Sequence, residues 1–227
     1  SGPCGHSGSC EAQRPAERGM TPPGVIELLD RYNVSRESRQ KIETYVKLLL
    51  TWQQRINLIG PATVASVWDR HICDSLQLLP LLPKDVRTIA ELGSGAGIPG
   101  LVLAMAADLQ AHLYESNGKK AAFLRAAARQ TGTQAIVHNG RLETLSTKTD
   151  LPKVQCVVAR ALAPLPLLLD YAEPFLASGA LGLFHKGQDV DAELTEATKY
   201  WRIGLTTHAS QCDSRGVILE IREATRV

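Results

Sequence analysis

Apolar residues recur at helical spacing through the first third of the chain and then give way to short apolar runs, so the hydrophobic period itself divides the sequence. Between residues 25 and 82 the pattern is helical. Ile42, Tyr45, Val46, Leu49 and Trp52 follow the i, i+3, i+4, i+7 spacing, and Ser35 or Ser38 is placed to cap the start. Residues 24–84 therefore read as an N-terminal helical cap. From there on, residues 89–92, 110–115, 135–139, 154–159 and 180–185 read as strands. Helical stretches separate them. Residues 119–129 put Ala122, Phe123, Ala126 and Ala127 on one face and Lys119, Lys120, Arg125 and Arg129 elsewhere. Such alternation predicts βαβ units and a parallel sheet over residues 85–227. A helix near 189–200 is followed by segments at about 205–211 and 217–222, which flank Cys212-Asp213-Ser214-Arg215-Gly216, a hairpin signal. Residues 1–23 carry Gly, Ser, Pro and charge without any period, and read as a disordered tail, partly a non-native remnant ahead of Met20.

Composition narrows the class. A chain of 227 residues with 44% hydrophobic content can bury one α/β core plus a small appendage. No run reaches the roughly 18 uncharged apolar residues of a membrane span. The expectation is a soluble protein with no membrane partner. A net charge of +2 is too slight to argue for nucleic acid, so that reading needs local basic clusters. The five cysteines are odd in number and scattered, with no secretory signal, which fits a reducing cytoplasm. Cys4, His6 and Cys10 in the tail lack a second ligand cluster, and no metal is expected.

The chemistry concentrates at Glu91-Leu92-Gly93-Ser94-Gly95-Ala96-Gly97-Ile98-Pro99-Gly100, where an apolar strand runs into an acid and then alternate glycines. Glycines there let the chain turn with φ > 0 and approach a ligand with no Cβ in the way. Pro99 suits the opening turn of the next helix. Two ligand classes use such a loop, and a purely structural turn is a third reading. A dinucleotide fingerprint counted from Gly93 fails at Ile98, whereas counted from Gly95 it ends correctly at Gly100 but starts late after the strand. The form acid-x-Gly-x-Gly-x-Gly fits better and is similar to motif I of class I S-adenosylmethionine-dependent methyltransferases. A pyrophosphate wants helix N–H groups and no carboxylate nearby, while the ammonium and sulfonium of S-adenosylmethionine tolerate one, so Glu91 favours the methyl donor.

Other strand ends add to the picture. Glu115 closes the second strand about twenty residues on, where such folds place a carboxylate on ribose hydroxyls, unless it is only a solvated strand end. Leu142 and Glu143 follow the third strand and are placed to meet an adenine, the alternative being a helix-starting Glu. Arg160 stands at the end of the fourth. The run Trp68-Asp69-Arg70-His71-Ile72-Cys73-Asp74-Ser75-Leu76 packs charge, imidazole and hydroxyl between apolar residues just ahead of the α/β region. That density suits a site edge, or a helix on which His71 and Asp74 satisfy each other.

With these motifs in order, the chain resembles the bacterial 16S ribosomal RNA guanine-N7 methyltransferases. The resemblance runs from about residue 25 to the C-terminus. It rests on Asn57-Leu58, Arg70-His71-Ile72-Cys73-Asp74-Ser75-Leu76, Glu91 to Gly100, Glu115-Ser116-Asn117-Gly118-Lys119-Lys120, Arg141-Leu142-Glu143, Arg160-Ala161 and Lys186-Gly187. Glu91 and Glu115 stand where the family often has Asp, Ile98 replaces Phe or Leu, Cys73 replaces Leu, and His185 precedes Lys186. The resemblance implies a Rossmann-like, mostly parallel seven-stranded sheet with a C-terminal antiparallel hairpin. It implies that Gly93, Ile98, Leu142, Glu143 and Arg160 contact S-adenosylmethionine, with Glu115 near the ribose and Glu91, Gly95 and Gly97 shaping the loop. His71, Asp74, Ser75 and Arg160 would border the methyl-transfer pocket. Arg70, Lys119, Lys120, Arg141 and Lys186 are the candidates for RNA. The implied substrate is a guanine in the 530 loop of 16S ribosomal RNA, met as naked RNA or in a 30S assembly intermediate, with no protein partner implied.

Guanine N7 carries an in-plane lone pair and no proton, so its methylation needs no general base. Amino-group methylation leads one to expect Asn/Asp-Pro-Pro-aromatic after the fourth strand, where Ala159-Arg160-Ala161-Leu162 stands instead. Carbon-5 methylation of a pyrimidine needs a cysteine nucleophile, and neither Cys73 nor Cys156 lies in a Pro-Cys turn. Arg160 could donate to guanine O6 or to the cofactor. Other readings are an NAD-dependent oxidoreductase, a binding-only ribosome assembly factor and a small-molecule methyltransferase.

Overall fold

A computed structural model describes residues 21–144 and 150–227. Helix α1 (Pro23–Arg31) opens on Pro23 and α2 (Arg36–Gln53) on Ser35, whose hydroxyl accepts the Ser38 N–H at 3.1 Å. Most of the tail and the motif of Cys4, His6 and Cys10 lie outside the described residues. After a 3-10 turn at Pro61–Thr63, a π-helical segment Trp68–Cys73 runs into the short α3 (Asp74–Leu76). A π turn is rare and collects at functional sites, and this one carries the charged run singled out above.

The strands are β1 (Thr88–Leu92), β2 (Gln110–Glu115), β3 (Ala135–Asn139), β4 (Cys156–Arg160), β5 (Leu181–Lys186), β6 (Trp201–Ala209) and β7 (Val217–Arg226). Helices α4 (Gly100–Ala107), α5 (Gly118–Thr131), α6 (Leu165–Leu176) and α7 (Val190–Ala197) connect them. Sheet order is β3-β2-β1-β4-β5-β7-β6. β1 to β5 are parallel, and β7 runs antiparallel to both β5 and β6. The order reverses between β1 and β4, and the crevice beyond the carboxyl ends of those strands is where open α/β sheets bind ligands.

Two of the expected boundaries move. Helix α7 stops at Ala197, three residues short of the expected end at 200, and β6 begins at Trp201, four residues before the expected start at about 205. Trp201, Ile203 and Leu205 alternate with Arg202, Gly204 and Thr206, a period of two that marks a strand. Trp201 is buried beneath the Arg226 guanidinium, 4.7 Å from its ring centroid, which carries β7 four residues beyond the expected end at 222.

Each sheet face has its own core. On one face Leu101 to Met105 of α4 are all buried, as a helix apolar on every side must be. It lies between the sheet and α2, whose Ile42, Tyr45, Val46 and Leu49 are fully enclosed. Each such side chain contributes about 1.5–3 kcal/mol on burial, so α2 is held by packing rather than by propensity. The opposite face is covered by α6 and α7 through Leu165, Leu168, Leu169, Ala172, Phe175 and Ala197. Among the described residues no helix is long and apolar enough to cross a membrane, and no group of His, Cys, Asp and Glu is arranged to hold a metal ion.

Candidate functional site

Beyond β1 the backbone takes φ of +67° at Gly93, +55° at Gly95 and +82° at Gly97. At Gly93 a glycine is favoured on two counts. The left-handed conformation strains any L side chain, and a Cβ would lie 2.5 Å from Leu162 Cδ1. The loop is braced from the cap, because the Tyr45 hydroxyl of α2 donates to the Ala96 carbonyl at 2.8 Å.

Glu91 does not face a cationic ligand, which corrects the electrostatic reason given for it above. It is buried behind the loop, where Oε1 accepts the Gly100 N–H at 2.8 Å and so caps α4. Burial pushes its carboxyl up to about 8, against the pull of the Gly100 and Ser94 hydrogen bonds, and Oε2 has no partner among the described residues. The Leu101 N–H is taken by Gly97 O at 3.0 Å. The α4 N-terminus that a dinucleotide pyrophosphate needs is thus already filled by the protein's own groups.

In front of the loop lies a cavity of about 290 Å³ whose wall includes Gly93, Gly95, Glu115, Leu142 and Glu143. Five of the expected cofactor-loop residues therefore do converge. Glu115 Oε2 accepts the Gly95 N–H and Oε1 the Asn117 N–H, both at 2.7 Å. One lone pair on each oxygen remains for a diol. Glu143 accepts from the Tyr171 hydroxyl at 3.2 Å. Tyr114, Leu162 and Leu167 add an apolar wall that the sequence reading missed. Ile98 is a correction: it is buried in the core under the loop and does not line the cavity. Lys120 and Arg141, read as RNA candidates, line this cavity, whereas Lys119 is exposed outside it.

Leu162 and Ala163 also belong to the wall of a second cavity, of about 470 Å³. Both cavities meet at this partition, which follows Ala161, a non-glycine residue at φ +51°. Three ion pairs line the second cavity and each joins two elements. Arg160 Nε of β4 meets Asp74 Oδ2 of α3 at 2.9 Å, Lys186 of β5 meets Glu193 of α7, and Arg70 meets Asp213 of the β6–β7 turn at 3.0 Å.

Arg160 holds the cap to the sheet. NH1 reaches His71 Nδ1 at 3.0 Å and NH2 donates to the Arg70 carbonyl at 2.8 Å. A guanidinium can only donate, so His71 Nδ1 is the acceptor and Nε2 carries the proton toward Thr63 Oγ1, 2.7 Å away. Burial, then the Arg160 and Arg70 charges, lower His71 to about 4 and keep it neutral. His71 and Asp74 thus satisfy Arg160 rather than each other.

Of the four pocket-border candidates, Asp74 and Arg160 line the cavity, while His71 and Ser75 do not. Ser75 is fully buried and donates to the His71 carbonyl at 2.7 Å, a helical i−4 bond. Arg160 lines this cavity and not the loop cavity assigned to the cofactor. Lys186 is also corrected as an RNA contact. Its side chain is 7% exposed and is held by Glu193 and the Ala163 carbonyl. Sequence reasoning missed Glu193, Asp213 and His185: Asp213 lies 143 positions from Arg70 and His185 111 from Asp74, while Glu193 meets Lys186 only because α7 folds back beside β5. Cys212 sits at the cavity with its thiol pushed up to about 12, mainly by burial, and Cys73 and Cys156 are likewise free thiols raised by burial.

Comparison with known proteins agrees with this geometry. Residues 38–215 match the family model described as rRNA small subunit methyltransferase G. A ribosomal RNA small subunit methyltransferase G of Rhodospirillum rubrum is 49% identical over 193 residues, covering 85% of this chain and 94% of its own. Its counterpart in Bradyrhizobium sp. strain BTAi1 is 50% identical over 192 residues, covering 83% and 86%. Among solved structures, cofactor-bound Rv0187 from MTB matches with a TM-score of 0.50 at 13% identity over 95% of this chain and 93% of that one, a likeness of fold alone. A class I methyltransferase sheet, a loop built for its cofactor and relatives at half identity along nearly the whole chain together place this protein in the rRNA small subunit methyltransferase G family.

Proposed function

We propose that this chain transfers a methyl group from S-adenosyl-L-methionine to N7 of a guanine in the 530 loop of 16S ribosomal RNA. The observation that carries the reading is the pair of cavities meeting at Leu162–Ala163, one fitted to the donor and the other lined by carboxylates that are each ion-paired. S-adenosylmethionine, when bound, supplies an electrophilic methyl that guanine N7 accepts with its lone pair, without losing a proton.

The chain's own residues do the rest. Gly93 and Gly95 let the backbone close on the donor, Glu115 offers its remaining lone pairs to the ribose, and Leu142 and Leu162 exclude water. In the second cavity Asp74, Glu193 and Asp213 are each ion-paired, His185 has Nε2 on the Asp74 carbonyl and Nδ1 sealed in the interior, and Cys212 stays a thiol; His71, outside the cavity wall, is neutral with both ring nitrogens engaged. An acceptor needing deprotonation would find only ion-paired carboxylates there, whereas N7 needs no base. Their work is to hold the base in line with the methyl, an orientation effect worth about 7–11 kcal/mol at most. Partners are 16S RNA or a 30S assembly intermediate, and the reading is of a cytoplasmic enzyme with no protein partner.

The test is transfer of labelled methyl from S-adenosylmethionine to 30S subunits and to 16S RNA from cells lacking the modification, with the product mapped by N7-specific cleavage. Label at one 530-loop guanine is the expected result. RNA association with no label on either form contradicts the catalytic reading and favours a binding-only assembly factor.

A further inference from the structure

We infer that Glu193 reads the guanine, accepting hydrogen bonds from the N1–H and N2–H₂ edge of the base held in the second cavity. The inference rests on the function proposed above and deepens it, since family membership assigns no residue to the choice of base. Glu193 lies on α7 and is held through one oxygen only. Oε2 accepts the Leu165 N–H at 2.6 Å and takes the Lys186 ammonium, whose side chain is buried. Oε1 has no partner among the described residues and is not sealed in the interior, and the side chain, 23% exposed, forms part of the cavity wall. The result is a carboxylate pinned through one oxygen in the wall of a cavity of about 470 Å³, within the roughly 300–1,000 Å³ of ordinary ligand sites.

The other carboxylates of the wall are less suited. Asp74 has Oδ2 on Arg160 and Oδ1 on the Gln77 amide at 2.6 Å, and Asp213 has Oδ2 on Arg70 and Oδ1 on the Arg215 N–H at 3.0 Å. Only Glu193 keeps an oxygen without a partner. Carboxylates only accept, so the complementary base must present donors. Guanine is the purine that offers N1–H and an exocyclic amine side by side, whereas adenine presents a lone pair at N1.

The same contact favours the reaction. Methylation at N7 brings the positive charge of the sulfonium onto the base and makes N1–H more acidic, so its hydrogen bond to Glu193 tightens as the methyl arrives. An interaction stronger in the transition state than in the ground state acts on kcat more than on KM.

The experiment compares methyl transfer to small-subunit RNA carrying guanine at the mapped position with the same RNA carrying inosine there, which lacks only the 2-amino group. For the wild-type protein kcat is expected to fall about 10- to 100-fold on inosine, the discrimination of one good base contact. In Glu193→Ala the guanine rate falls and the two rates converge to within about threefold. Glu193→Gln keeps an acceptor for the Leu165 N–H and serves as the folding-competent second variant, with S-adenosylhomocysteine affinity as its integrity check. Equal wild-type rates on guanine and inosine overturn the inference without any variant. So does a guanine-to-inosine ratio left at the wild-type value in both variants, the pattern of a purely structural Lys186–Glu193 pair. Absence of label on any guanine with the wild-type protein instead rejects the function itself.

Discussion

The two cavities that meet at Leu162 are built by opposite means. The cavity proposed for the donor is made mostly of backbone and of residues at the ends of three adjacent strands, β1, β2 and β3, with Leu162, Ala163, Leu167 and Tyr171 closing it from beyond β4. The cavity proposed for the acceptor is assembled from four segments far apart in the chain and is closed by ion pairs between Arg160 and Asp74, Lys186 and Glu193, and Arg70 and Asp213. A site made of backbone tolerates little change at any position. One made of salt links distributes its stability over pairs, and removing one partner strands the other.

The largest effect is expected on the backbone side. Gly93→Asp forces an L side chain into φ +67° and onto Leu162, so S-adenosylmethionine binding measured by titration calorimetry should disappear while Arg70 or Asp213 variants keep it. On the ion-pair side, Arg160→Ala leaves Asp74 without its cation and removes three links from the cap. Breaking such an enclosed pair costs about 3–5 kcal/mol, read as a lower urea midpoint. Asp74→Asn, which keeps an acceptor for the guanidinium, should cost less.

Glu91 offers a pH-dependent test. Its folded pKa is raised to about 8 from the ordinary 4.5, so the folded state holds a proton that the unfolded chain has lost. The stability contributed by the neutral carboxyl is full below about 4.5, declines through neutral pH and is lost above about 8. Wild-type stability should therefore decline relative to Glu91→Gln across that interval, by no more than about 1.4 kcal/mol per pH unit. A difference that stays flat from acid to alkaline pH contradicts the neutral buried state. The smallest effect on stability belongs to Arg70→Ala, an exposed pair worth about 0–1 kcal/mol. If Arg70 instead meets a phosphate, the salt dependence of RNA binding should lose about one unit of slope in that variant.

The same contrast decides what could be read from the sequence. Glu91, the alternate glycines, Glu115, Leu142 and Glu143 announce themselves because strand, turn and helix signals sit beside them. The spacing of β2 and β3 matches the structure to the residue. Ile98 failed because neighbours in a turn can point to opposite sides, into the core or into the cavity. Lys186 and Ser75 were misread because their partners, Glu193 and the His71 carbonyl, are set by tertiary packing and by helix register that a residue type does not reveal. The pairing of Arg160 with His71 spans 89 positions, and nothing local marks it. By contrast, β6 was legible: the alternation beginning at Trp201 is in the sequence, and the strand expected from about 205 starts four residues too late.

The central claim, that donor and acceptor occupy separate cavities divided by Leu162 and Ala163, is tested most directly by a crystal structure with S-adenosylhomocysteine and an RNA hairpin containing the target guanine. The account predicts the ribose on Glu115 and the base among Asp74, Arg160 and Glu193, with N7 directed toward the partition. A guanine bound outside the second cavity, or S-adenosylhomocysteine bound within it, would contradict the account.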